Sequence, residues 1–521
     1  MVIISLFNPY ELLKFWINTI LKNNQITFYK LKMFLKISEK MDDIEHVVKN
    51  SIWVTLGRIT ALILTLISTL LLARLLNPHE YGLLNLGLTI MFLGNAIADF
   101  GINAALIYFI PRTENKESII KRLIKYKIIT TVITSLTIFL LSNKISILYN
   151  TPELKNIIKL FAISHIFYSF FFFVQSALQG LRAFKLFMFT DIILSFSRYI
   201  PILTLILKMG LNWAVIGFCV AYFLSGTISF LIIFPYLKSQ NNKKIEFKSK
   251  EIYSYAFFNF GAGLFYLIYN MFTNLLVGYY LPISEVGFFT LAWQISYYGI
   301  MTFPAVISIS LLPNLSEMIS KKEEIHNLFR RATKYMIYLV LPTSIGLIML
   351  GVRLITLIFG IKYSPVEGIL ILMSLGFMIQ GCATSIDNLV LSIGKPKFIM
   401  FRNGMQALIN LILCIILLPK IGLPGAGISF IVTNIIGTML INYWAVKSHR
   451  FWYPFKSLFR AIIASIVMAI FIKQFFWLRQ IYLVIYAIPI YFIVLFIIGG
   501  FDKEDIKTFG LEKLTALFKK N

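Results

Sequence analysis

The chain is a succession of long apolar runs separated by short polar turns. Within each run the apolar residues are continuous rather than alternating, which predicts helices crossing a bilayer of roughly 30 Å and not a barrel. About 14 spans are expected, at 50–76, 82–110, 122–142, 154–180, 184–207, 212–237, 252–281, 286–312, 331–359, 364–392, 397–419, 423–446, 457–476 and 480–500. The connections are short, and none is large enough to fold as a domain outside the membrane. One turn stands out: Arg74-Leu-Leu-Asn-Pro-His-Glu-Tyr-Gly82, where Pro78 and Gly82 end one span and begin the next as a tight helical hairpin.

Composition agrees with that class. The 521 residues are 58% hydrophobic and only 14% charged, and a soluble chain of this size needs more polar surface. A net charge of +26 invites a nucleic-acid partner, but the positions of the basic residues argue against one. Arg112, Lys116, Lys121, Arg122, Lys125 and Lys127 cluster between the second and third spans, and Lys238, Lys243, Lys244, Lys248 and Lys250 between the sixth and seventh. Lys321, Lys322, Arg330, Arg331 and Lys334 follow two spans later, then Lys447, Arg450, Lys456 and Arg460, then the tail. The intervening turns carry few: Arg74 alone in the first, Lys420 alone in another. Basic loops stay in the cytoplasm, so both termini are expected there, which requires an even number of spans. Cys219, Cys382 and Cys414 sit inside apolar runs with no metal spacing, the five histidines are scattered, and no cofactor is expected.

The hairpin turn returns about 205 residues later, a sign of an internal repeat. Tyr280-Leu-Pro-Ile-Ser-Glu-Val-Gly287 again places Pro, Glu and Gly between two apolar runs, and Glu285-Val-Gly287 echoes Glu80-Tyr-Gly82. A second echo joins Gln179-Gly-Leu-Arg-Ala-Phe184 and Gly210-Leu-Asn-Trp-Ala-Val-Ile-Gly217 to Ser392-Ile-Gly-Lys-Pro-Lys-Phe398 and Gly422-Leu-Pro-Gly-Ala-Gly427. Six spans per copy make the halves parallel repeats about an axis along the membrane normal. The expected organisation is an extension at 1–49, a six-helix lobe at 50–237, a basic linker at 238–251, a second six-helix lobe at 252–446, two further helices at 447–500 and a basic tail at 501–521. Within the extension, Leu13, Trp16, Ile17, Ile20 and Leu21 share one face of a candidate interfacial helix; the alternative, favoured by the start-like Met41-Asp-Asp-Ile-Glu45, is an upstream extension with no function. It lacks a basic start and a small-residue cleavage site, so it does not read as a signal peptide.

The motif Ala73-Arg-Leu-Leu-Asn-Pro-His-Glu-Tyr-Gly-Leu83, with Asp99-Phe-Gly-Ile-Asn-Ala-Ala105, the Gln179-Gly180 turn and the layout of six, six and two spans, resembles the polysaccharide-biosynthesis (O-antigen type) flippases. These belong to the multidrug/oligosaccharidyl-lipid/polysaccharide exporter superfamily. The resemblance covers about residues 45–500 and marks the family rather than the cargo. It implies an all-α membrane protein with two lobes around a cavity that opens alternately to each side. It also implies a polyprenyl-phosphate-linked oligosaccharide as cargo, with glycan polymerase or glycosyltransferases as functional neighbours in the cell membrane.

Ionisable residues inside spans are costly, so each is a functional candidate. Arg58 and Asp99 lie at similar depth in the first two spans and either pair across the hairpin or both face the cavity. Arg198 sits near mid-depth in the fifth span without an acid at its level, and a guanidinium suits a phosphate. Asn270 and Asn274 share a face of the seventh span, and with Gln294 they offer the donor-and-acceptor chemistry that suits sugar hydroxyls or interhelical bonds. Asp387 and Arg402 flank one turn at equal depth as a structural or gating pair. Three function classes compete. A lipid-linked oligosaccharide flippase fits the cationic first half. A multidrug or cation antiporter of the same superfamily needs a cavity acid where the first span carries Arg58. A membrane glycosyltransferase, polymerase or ligase needs a catalytic group on a sizeable outer loop, and none is present.

Overall fold

The computed structural model describes residues 60, 63–113, 115–238, 249–320, 324–449 and 453–502. The expected interfacial helix, Arg58 and most of the basic linker and tail lie outside them. In chain order the helices are α1 (Ile63–Leu75), α2 (Pro78–Asp99), α3 (Ile102–Phe109), α4 (Lys116–Leu148), α5 (Leu154–Gly180), α6 (Phe184–Ser197), α7 (Ile200–Ile206) and α8 (Leu211–Lys238). There follow α9 (Ser249–Tyr280), α10 (Ile283–Ser320), α11 (His326–Phe359), α12 (Glu367–Ser392), α13 (Pro396–Ile421), α14 (Leu423–His449), α15 (Phe455–Gln474) and α16 (Gln480–Ile497). Twelve spans among the described residues are long and apolar enough to cross a membrane. The shorter α1 and the helix α9 occupy the places of the first and seventh expected spans. The chain is a multi-pass, all-helical membrane protein.

Local chemistry sets the turns. Asn77 caps α2 through Glu80 N at 2.8 Å, Glu80 returns the bond to Asn77 N at 3.0 Å, and Pro78 needs no backbone donor in the first turn. Two expected spans are broken rather than continuous. The second is interrupted at Phe100 and Gly101, both at positive φ (42° and 75°), because the helix end is seated against α9. The fifth is interrupted at Arg198 and Tyr199, just ahead of Pro201, whose ring nitrogen cannot continue the helical ladder. A further correction concerns Lys127. It is not a loop cation: α4 begins at Lys116, and Lys127 is 1% exposed inside it.

Both halves use the same packing scheme. In the first, α2 packs on α5, α5 on α4 and α8, and α7 on α8; in the second, α10 packs on α12, α12 on α11 and α14, and α13 on α14. Buried positions repeat in register. Ile157, Ile158, Phe161 and Ala162 of α5 correspond to Ile369, Leu370, Met373 and Ser374 of α12, about 212 residues on, as a structural repeat requires. The left-handed residue after each helix repeats too, Arg182 at φ 59° and Gly394 at φ 78°. The last two helices are fastened to α11 at both ends. Arg353 donates to Phe476 O at 2.6 Å, and at the other end Lys334 pairs with Asp502 and Tyr338 donates to Gly500 O.

Candidate functional site

The lobes meet at two levels, which we call the tip end, after the Asn77–Gly82 hairpin, and the basic end, after the cationic loops. At the tip end α2 crosses α10, with Gly82 and Gly287 at the crossing. Tyr81 donates to Gln294 Oε1 at 2.7 Å, and Asn274 donates to Thr89 Oγ1 at 2.9 Å while accepting from Thr290 at 3.1 Å. Tyr149 donates to Leu275 O at 3.2 Å. Lys362, in the turn before α12, donates to Arg74 O at 2.9 Å and Leu76 O at 2.6 Å, the free carbonyls at the end of α1. Its neighbour Tyr363 packs edge-on against Tyr81 and Phe288. At the basic end, Gly101 sits against the Ala256 backbone, and Phe100 stacks on Phe260 with ring centroids 4.8 Å apart.

Arg198 lies between these levels, at the break in the fifth span. Gly217 of α8 packs closely against Pro201, fixing the break. Arg198 Nη1 donates to Thr65 Oγ1 of α1 at 3.0 Å, and the Tyr199 hydroxyl donates to Leu64 O at 3.0 Å. Arg198 Nε is buried without a hydrogen-bond partner, and among the described residues no carboxylate lies within ion-pair distance of the guanidinium. Tyr168 and Tyr222 of its own lobe and Tyr298 of the other lie within electrostatic range of its charge. The corresponding position of the second lobe is Asn410, whose Oδ1 accepts from Thr273 of α9 at 3.3 Å. The same joint is thus neutral in one lobe and cationic in the other. A guanidinium bonded to one hydroxyl, with a spare buried donor, is suited to an anionic group carrying several oxygens.

The other candidates fall into place as follows. Arg58 lies outside the described residues. Asp99 pairs with Lys127 of α4 at 3.0 Å. Asn274 and Gln294 tie the lobes together at the tip end, and Asn270 is half-buried one turn before Asn274. Asp387 and Arg402 form an ion pair linking α12 to α13. Their counterparts in the first lobe are Gln175 and Thr190, joined by a neutral hydrogen bond of 3.0 Å at the same sequence separation of 15. The sequence reading missed Lys127, His165, Lys362 and the three tyrosines. For Lys127 a signal existed, its spacing from the apolar Leu123 and Ile124 along one helical face.

Beside the second lobe lies an apolar groove of about 900 Å³, lined by Met378, Cys382, Met439, Leu458 and Ile462 among others, between α11, α12, α14 and the added helix α15.

Known proteins resemble this chain along most of its length. A probable low-salt glycan biosynthesis flippase of Haloferax volcanii is 20% identical over 234 residues, 44% of this chain and 49% of the relative, so the match spans about half of that protein. The lipopolysaccharide biosynthesis protein WzxC of Escherichia coli is 21% identical over 457 residues, 82% of this chain and 89% of the relative. Among solved structures, the lipid II flippase MurJ in an inward closed conformation matches with a TM-score of 0.70 at 19% identity, covering 86% of this chain and 98% of that one. An inward-facing multidrug resistance transporter of the MATE family gives 0.57 at 16% identity, over 74% of this chain and 94% of that one. These two matches speak to the fold. The family model for polysaccharide biosynthesis protein matches residues 71–367, more than half of the sequence, and the chain belongs to that family.

Proposed function

We propose that this protein is a flippase that moves a polyprenyl-phosphate-linked oligosaccharide from the cytoplasmic to the outer leaflet of the cell membrane, for cell-surface polysaccharide biosynthesis. The observation that carries the reading is Arg198, a mid-membrane cation at a helix break, bonded to Thr65 of α1, with a buried Nε that has no hydrogen-bond partner and no ion-paired carboxylate among the described residues. A cation in that place is expensive unless an anion or water meets it, and a carrier phosphate is such an anion. The names of the two relatives point to glycans rather than drugs. The apolar groove gives the polyprenyl tail a wall to lie along while the headgroup crosses. The motion is alternating access, in which the tip-end and basic-end contacts, both made here, open in turn. Both termini lie in the cytoplasm by the distribution of basic loops. The protein makes and breaks no covalent bonds; glycosyltransferases supply its cargo and a polymerase consumes it.

The test is export by Arg198→Met and Arg198→Lys at equal protein level in a strain whose surface glycan depends on this chain. The Met variant is expected to abolish export and the Lys variant to retain part of it, because lysine keeps charge and loses the planar fork. Full export by Arg198→Met removes the site.

A further inference from the structure

We propose that the Tyr298 hydroxyl is the second lobe's contact for the anion held at Arg198, so that a loaded carrier phosphate is gripped from both lobes at once.

The placement of Tyr298 follows from its helix. Gln294 and Tyr298 lie about two and three turns after Gly287 on α10, so the three share one face. The first two meet the first lobe directly: Gly287 sits against Pro78 O and Gly82 N, and Gln294 Oε1 accepts from Tyr81 at 2.7 Å. Tyr298 continues that face one turn beyond Gln294 and is aimed at the same lobe. Its surroundings agree. It lies within electrostatic range of Arg198 and of Tyr81, both in the first lobe. It is half-buried, and its ring packs edge-on against Tyr297 with centroids 5.5 Å apart.

The hydrogen bonds supply the chemistry. Arg198 Nη1 is used by Thr65, and Arg198 Nε is buried with no partner. The Tyr298 carbonyl accepts from Thr302, but its hydroxyl makes no hydrogen bond among the described residues. Two donors thus stand on facing lobes without a protein acceptor. A phosphate carries several acceptor oxygens on one centre, so it takes an N–H from one lobe and an O–H from the other, and its charge strengthens both bonds. Tyr168 and Tyr222 also lie within range of Arg198. Both belong to its own lobe and pack on each other with centroids 5.0 Å apart, so they shape the first-lobe site and do not join the lobes.

The internal repeat supplies a control. Counting from the Gly82–Gly287 pair, Leu93 of α2 stands where Tyr298 does, and Asn410 of α13 stands where Arg198 does. The two places related by the repeat therefore differ together. One carries a guanidinium and a phenol, the other an amide and a leucine. A tyrosine needed only to pack α10 on the first lobe has no reason to accompany the arginine. A ligand shared by the two side chains gives that reason.

The consequence is a link between occupancy and lobe position. A group bonded by both lobes binds best where the two donors converge, so loading favours that arrangement. The shift is no larger than the difference in affinity between the arrangements. Arg198 and Thr65 sit in one lobe and cannot supply it.

The inference rests on the flippase reading for the anion at Arg198, and the experiment separates the two. Equilibrium binding of polyprenyl monophosphate, and of polyprenol, which lacks the phosphate, is measured on the full chain in detergent micelles. The proteins are the wild type, Tyr298→Phe, Arg198→Met and the double variant. Tyr298→Phe keeps the ring and removes only a hydroxyl without a protein partner, so its thermal stability is expected to match the wild type. Its affinity for polyprenyl monophosphate is expected to fall about tenfold, the weight of one charge-assisted hydrogen bond, while its affinity for polyprenol stays unchanged. In Arg198→Met the same tyrosine substitution is expected to cost little more, because the anion that both bonds hold is already lost. No binding of the phosphate by the wild type removes the Arg198 site and this contact together. Wild-type binding that Tyr298→Phe leaves intact, an equal loss for polyprenol, or the same loss in the absence of Arg198 overturns the contact alone and leaves Arg198 as a first-lobe site.

Discussion

Gly82 and Gly287 lie against each other where α2 crosses α10, each occupying the space a side chain on the other would need. A Cβ on Gly82 would stand 3.1 Å from Gly287 N, and one on Gly287 3.3 Å from Gly82 N, with the Ile283 and Pro78 carbonyls closer still. The two glycines come from the two copies of the hairpin motif, so the repeated turn is also the contact between the repeats. Backbones approach this closely in a bilayer only where residues are small. Gly82→Ala or Gly287→Ala is expected to push the helices apart and weaken tip-end closure by about 1–3 kcal/mol. Disulfide crosslinking between His79→Cys and Ser284→Cys reads the change: each alanine variant should lower the yield. An unchanged yield means the crossing is not under steric control.

A second tip-end contact makes a separate prediction. Lys362 reaches from the second lobe to the Arg74 and Leu76 carbonyls, where α1 leaves acceptors unfilled and presents the negative end of its dipole. Lys362→Met keeps the length and removes the donors. The closed tip end is expected to lose on the order of 1 kcal/mol, a several-fold rise in the open population. The label pair at His79 and Ser284 measures it, here as a distance distribution. High salt should leave the Met variant unmoved while shifting the wild type towards it.

Much of this architecture was legible in the sequence because membrane helices and their turns have strong physical signatures. A hairpin tip needs Pro and Gly at fixed places, so Pro78, Gly82 and Gly287 announced both the turn and the repeat. The break at Phe100 and Gly101 left no such mark. Asp99, Gly101 and Asn103 stand there in the sequence, but a lone glycine in a long apolar run does not fix a break; the left-handed backbone is held by the local Asp99–Asn103 bond and by contact with α9, and the second of these is a tertiary fact. In sequence Lys127 reads as a loop residue because it follows a run of cations; its partner lies on another helix 28 residues away. The tyrosines around Arg198 come from three separate spans, and nothing in their spacing brings them together.

The pair Asp387–Arg402 can be set against its own neutral homologue. Gln175 and Thr190 make the corresponding link in the first lobe. Arg402→Thr alone is expected to destabilise the protein by roughly 3–5 kcal/mol, since it strands a largely buried carboxylate. Asp387→Gln combined with Arg402→Thr installs the neutral pair and should recover most of that loss. Thermal unfolding in detergent across the double-mutant cycle measures the coupling. If the double variant is as unstable as the single one, the pair does more than join α12 to α13.

The groove yields a prediction about the hydrocarbon half of the cargo. Its walls are Met378, Cys382, Met439, Leu458 and Ile462, and the fastening of α11 to the added helices through Arg353 and Lys334 keeps its α15 side in place. A polyprenyl chain laid there exchanges lipid contacts for protein contacts, so shape rather than hydrophobicity decides the preference. Ile462→Trp fills the groove from the α15 side, where the residue is 37% exposed, without entering the packed interior. Glycan export is expected to fall several-fold while thermal stability changes by less than about 1 kcal/mol, as for other exposed positions. A tryptophan at Ile466, also on the groove and 54% exposed, should behave alike, whereas one at Ile485 on α16, outside it, should not. Export at wild-type rate with both groove positions filled would mean that the tail stays in the surrounding lipid and that the groove serves packing alone.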